Sequence, residues 1–86
     1  MPYGTCVLCG RVGDMHKHHI FEGSRRQRSE RYGMTCLLCP PCHVHTDVAV
    51  HRCRETDLKL KRAAQRKFER EHTREDFIKL FGRSYL

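Results

Sequence analysis

Hydrophobic and polar positions are poorly patterned over the first half of the chain and strongly patterned over the second. From Glu55 to about His72, Leu60, Ala63, Ala64 and Phe68 recur at helical spacing among Lys, Arg and Glu, which predicts one long amphipathic helix. Glu55 with Lys59 and Asp57 with Lys61 add four-residue charge pairs in the favourable order. Thr73 suits the cap of a last helix, Arg74 to Phe81, whose Phe77, Ile78, Leu80 and Phe81 would close over the core, and Gly82 suits its end. Upstream, two short apolar runs predict a pair of strands: Met15 to Phe21, ending His19-Ile20-Phe21, and Met34 to Leu38 after Gly33. Ser24 to Tyr32, between them, lacks apolar periodicity and reads as an exposed loop or short helix. Residues 3–14 read as a ligand loop and not a strand, because Gly4, Gly10 and Gly13 bracket Cys6 to Cys9. His43 to His51 reads as a short helix, with Pro40 and Pro41 confined to the turn before it, where their missing amide donors cost little. Together these elements predict a small α+β fold.

Length narrows the picture further. Eighty-six residues make one domain with a modest core, so a metal staple is a physical expectation. The division expected within residues 1–86 is a metal-binding core over 1–52 and a helical extension over 54–86. A formal charge of +7 and a pI near 9.4 favour a polyanion partner, most often nucleic acid, over an acidic protein surface or a membrane. Six cysteines in so short a chain are compatible with a secreted disulfide framework, but the opening Met-Pro-Tyr-Gly-Thr-Cys has no basic and apolar signal segment. That argues for a reducing, cytoplasmic compartment and for thiolates on metal. No apolar run approaches membrane-spanning length.

The cysteines and histidines carry the chemistry. Cys6-x-x-Cys9 and Cys39-x-x-Cys42 are two knuckles of the kind that present four sulfurs to one tetrahedral zinc. Cys36 and Cys39 have the same spacing, so the second knuckle has two assignments. The later pair is preferred, since Pro40 and Pro41 suit a knuckle and Leu37 and Leu38 suit a strand. Cys36 and Cys53 are then expected to be small buried hydrophobes. Seven histidines exceed what packing needs. On a strand, His18 and His19 point to opposite faces, leaving one for a metal and one for a proton. His43, fixed directly after a cysteine ligand, is anchored to complete the site. His16, His51 and His72 are expected to be surface or packing residues, and His45 is a secondary ligand candidate. Arg25, Arg26, Arg28 and Arg31 form the densest positive charge in the chain and are candidate phosphate contacts, whereas the basic residues of the long helix are interleaved with acids and read as a solvated face.

Cys6-x-x-Cys9, His18-His19-Ile20 at a strand end and Leu38-Cys39-x-x-Cys42-His43 after a second strand resemble the HNH (His-Me finger, ββα-metal) endonuclease family in its zinc-stapled form. The layout also resembles small HNH-type proteins encoded by bacteriophages. The motif covers Cys6 to about His51. The resemblance implies a ββα-metal finger, a short two-stranded hairpin plus helix, with C-terminal helices packed on it. It further implies a structural zinc on Cys6, Cys9, Cys39 and Cys42, a catalytic divalent ion, magnesium or manganese, on His18 and His43, and His19 as the general base. The expected activity is hydrolysis of DNA phosphodiester bonds by an endonuclease or nickase of low sequence specificity. Its location would be a bacterial host cytoplasm if phage-encoded, and a homodimer or a phage or host protein would be a further partner. One position departs from the family pattern: the middle Asn falls on Met34, and the chain contains no Asn. This motivates an alternative, a catalytically weakened or inactive zinc module that binds DNA or a host protein complex. A third option is a structural mini-domain whose basic face meets an acidic partner.

Overall fold

The structure is a computed structural model and describes residues 2–47 and 49–86. Strand β1 (Tyr3–Thr5) pairs antiparallel with β2 (Val12–Asp14), Tyr3 opposite Asp14, and the Cys6 to Cys9 knuckle forms the tip of this hairpin. The expectation of a ligand loop without strands therefore holds for the knuckle and fails for its flanks. Three-residue strands with a glycine at each centre leave no alternating apolar face to read. At the tip, Cys6 N–H donates to the Arg11 carbonyl at 2.8 Å, Gly10 N–H donates to the Cys6 carbonyl at 2.9 Å, and Gly10 takes φ 80°.

The second hairpin is the one the apolar runs predict, shortened to β3 (His16–His19) and β4 (Thr35–Leu38). His18 lies opposite Cys36 and His19 opposite Thr35. Met15, Ile20, Phe21 and Met34 fall just outside the strands, and all are buried. The connection contains one 3-10 turn, Gly23–Arg25, and a short helix α1 (Arg26–Arg31). Ser29 pins α1 to the end of β3: its buried hydroxyl donates to the Phe21 carbonyl at 2.7 Å and accepts from Phe21 N–H at 3.0 Å.

After β4 the chain makes a wide helical turn, Pro41–His45, closed by Thr46 N–H donating to the Pro41 carbonyl at 3.1 Å. The short helix expected to His51 is thus confined to that turn, and Val48 within the expected segment lies outside the described residues. Helix α2 (Arg54–Phe68) buries Leu60, Ala64, Gln65 and Phe68, while Ala63 is exposed. The pair of Lys61 with Asp57 forms at 2.7 Å. Helix α3 (Arg74–Phe81) starts where Thr73 accepts from Asp76 N–H at 3.1 Å and stops at Gly82, φ 90°. One hydrophobic cluster unites both halves. Phe21 from the first half stacks on Phe81 at 4.5 Å between ring centres and meets Phe77 at 5.5 Å, with Phe68, Met34 and Leu38 in the same cluster. Gln65 ties down the C-terminal tail, donating to Ser84 Oγ at 3.0 Å and accepting from Tyr85 N–H at 2.7 Å. No helix among the described residues is long and apolar enough to cross a membrane.

Candidate metal centre and histidine cleft

The tip of the first hairpin folds onto the end of β4, where Val7 N–H donates to the Leu37 carbonyl at 3.1 Å. This brings Cys6 and Cys9 against Cys39 and Cys42, with all four sulfurs within 4.8 Å of one another. A tetrahedron of thiolates at the roughly 2.3 Å zinc–sulfur distance has edges of about 3.8 Å. The 3.6 Å between the Cys9 and Cys39 sulfurs fits that edge, and no disulfide joins any described cysteine. The cluster is therefore compatible with a structural zinc, and of the two assignments of the second knuckle it contains Cys39 and Cys42. Cys36 lies outside it, half-buried against the core, where burial pushes its thiol up to about 11. Cys53 precedes the first turn of α2, also half-buried.

Charge explains why four thiols here call for a cation. Burial opposes ionisation of Cys6, yet backbone N–H groups of Cys39, Cys9 and Leu8 outweigh it and bring the pKa down to about 6. Burial, reinforced by hydrogen bonding with Cys9 and Cys6, raises Cys39, and burial followed by the neighbouring sulfurs raises Cys42. One thiolate forms readily, and further negative charge is resisted until a positive ion offsets it.

The second cluster joins β3 to the segment after β4. His18, His43 and His51 each offer a ring nitrogen, and these atoms lie within 4.8 Å of one another. His43 N–H donates to the Cys39 carbonyl at 2.9 Å, and His51 N–H to the His43 carbonyl at 3.3 Å, so the wide turn sets both rings in place. His43 Nε2 is 2.9 Å from His51 Nε2, and His43 Nδ1 is 2.9 Å from His16 Nδ1. His18 is 2% exposed and its Nε2 has no hydrogen-bond partner among the described residues. Its Nδ1 lies 3.5 Å from Glu22 Oε1, which is also 3.6 Å from His51 Nε2. Burial first, then the facing His43 and His51 rings, lowers the pKa of His18 to about 4. His43 falls to about 4 for the same reasons, burial before His51 and His16. Both rings are neutral at neutral pH, the form in which imidazole ligates a metal. The neutral His18 and His43 rings with His51 facing them, a carboxylate beside them and an orphaned buried nitrogen fit a divalent ion.

His18 and His43 converge as expected; His51, expected on the surface or in packing, belongs to the cluster, and His16 packs behind it against His43 Nδ1. His45 is exposed and outside it, and His72 stacks on Phe68 at 4.4 Å, as a packing residue. Strand alternation turns His16 and His18 one way and Lys17 and His19 the other. On that second side Glu30 of α1 meets both outward groups. His19 Nε2–H donates to Glu30 Oε2 at 2.7 Å and Lys17 Nζ donates to Oε1 at 2.5 Å. Those two bonds lower the Glu30 carboxyl below its usual range, Lys17 more than His19.

The cleft is lined by Lys17, His18, His19, Glu22, Arg26, His43 and His51 and holds about 170 Å³. That is below the roughly 300 Å³ at which pockets begin to enclose a small ligand, so it suits an ion or a small group and not a whole small molecule. The four arginines separate. Arg26 lines the cleft. Arg28 donates to the Leu80 carbonyl at 2.7 Å, and the Arg25 guanidinium packs against Gly82, so both brace the end of α3. Arg31 sits over the Tyr32 ring at 5.9 Å. No family model, curated protein or solved structure matches the chain.

Proposed function

We propose that the chain is a metal-dependent DNA endonuclease or nickase built on a ββα-metal finger of the HNH type. The observation that carries this reading is the convergence of His18, His43 and His51 in one shallow cleft that His19, Lys17 and Arg26 also line. Three imidazoles with Glu22 beside them suit manganese or a later first-row ion better than magnesium, which prefers an all-oxygen shell. Such an ion, when bound, supplies Lewis-acid stabilisation of the negative charge on the phosphate and the leaving oxygen. His19 takes the proton from the attacking water. Arg26, with Lys17, binds phosphate oxygens beside the scissile bond, contacts that position DNA without reading it. The net charge of +7 supports a polyanionic substrate, and the absence of a recognition helix among the described elements supports low sequence specificity.

Incubating supercoiled plasmid with purified protein and manganese tests the reading. Wild type nicks, and His19→Ala loses roughly 10²- to 10⁴-fold in rate, the usual contribution of a general base. Equal rates for the two proteins remove the claim. A second reading is favoured by one observation: both nitrogens of His43 already face other rings at 2.9 Å, so the cluster is partly satisfied without an ion. The chain would then be a zinc module that binds DNA and never cuts it, identified by salt-dependent binding with no nicking under any divalent metal.

A further inference from the structure

We propose that Glu30 is the positioning residue of His19, deciding which of its ring nitrogens is free to take a proton; this rests on the nuclease reading above. The brace of His19 comes from α1. Glu30 Oε2 stands 2.7 Å from His19 Nε2, and Nδ1 has no protein hydrogen-bond partner among the described residues. A carboxylate only accepts, so this contact selects the tautomer protonated at Nε2 and leaves the Nδ1 lone pair free. His19 is mostly buried along its side chain, 15% exposed, while Glu30 is 51% exposed and held by Lys17 through its other oxygen. The strand fixes the ring's position and the carboxylate fixes its rotation and proton.

The step then balances. A water O–H bond breaks, its proton goes to His19 Nδ1, and the oxygen's electron pair forms the new bond to phosphorus. The bond from phosphorus to the leaving oxygen breaks, and that oxygen departs with the pair. The imidazolium formed has its new charge beside the Glu30 carboxylate, which stabilises it as it develops.

Two measurements on the zinc-loaded chain test this. In ¹⁵N spectra of the histidine rings at fixed neutral pH, wild-type His19 shows the Nε2–H tautomer and Glu30→Ala shows a mixture. Glu30→Gln, whose amide oxygen still accepts, retains the tautomer without the charge. In plasmid nicking, Glu30→Ala lowers kcat by roughly 10- to 100-fold with KM changed less than about twofold, and Glu30→Gln recovers part of the loss. A His19 spectrum identical in wild type and Glu30→Ala, or an unchanged kcat, overturns the inference. If wild type does not nick while the tautomer still depends on Glu30, the nuclease reading fails and the positioning contact stands.

Discussion

His43 meets a different histidine at each ring nitrogen, and the two contacts have different consequences. Nε2 shares a space with His51 and His18, where an ion would sit, while Nδ1 faces His16 at 2.9 Å. His16 therefore stands behind the ligand, fixing its tautomer. His16→Ala is expected to weaken manganese binding at the cleft by roughly 10- to 100-fold, measured by calorimetry on zinc-loaded protein, without changing zinc content. The burial of His18 gives a second expectation, in pH. Its folded pKa near 4 is below the ordinary 6.5, so the unfolded chain binds more protons between those values. Stability is complete above pH 6.5 and falls with pH down to about 4, by on the order of 3 kcal/mol from this ring. Urea denaturation at pH 7 and pH 5 should show a smaller difference in His18→Leu than in wild type; equal differences would contradict the assignment. Residue by residue, what sequence could show was what adjacency encodes: paired cysteines, His18 beside His19, His43 after Cys42. His51 joins only because a wide turn folds its ring back on His43, and Glu30 joins only because Ser29 pins α1 to β3, neither of which has a local signature.

At the scale of elements, legibility followed the size of the buried face. Helices α2 and α3 carry an apolar stripe, and α3 has its Thr73 cap as well, so their positions were readable, although α2 stops at Phe68. Strands β1 and β2 bury little and have glycines at their centres, and they pass for loop. The four arginines form one group in sequence and separate in space, because adjacency shows their charge and not the end of α3. There Gly82 adopts φ 90° with the Arg25 guanidinium lying where a side chain would go, and Arg28 holds the Leu80 carbonyl. Gly82→Ala must pay the left-handed penalty of about 1–2 kcal/mol and displace Arg25 as well. A melting temperature lower by roughly 4–8 °C per kcal/mol lost is expected for a domain of this size, with zinc content unchanged. A melt indistinguishable from wild type would mean that the helix end tolerates a side chain.

For the molecule as a whole, the two clusters are neighbours by construction. Cys42 and His43 are consecutive, and Cys39 and His43 are linked by a backbone hydrogen bond of 2.9 Å, so the turn that delivers the sulfurs also delivers the ring. The dependence runs in one direction. The cysteines join the first hairpin to the end of β4, and Cys6 and Cys39 are part of the hydrophobic core, whereas His51 is exposed and lies outside that core. A chain of this length has little core to spare, and loss of a structural zinc removes folding free energy directly. Cys9→Ser, or a strong chelator, should therefore abolish both the cooperative thermal transition and manganese binding in the histidine cleft. His51→Ala should lose cleft binding while one zinc per chain and the thermal transition persist. Melting curves and metal analysis on the two variants decide it: a Cys9→Ser protein that still binds manganese in the cleft would show that the histidines assemble without the sulfurs.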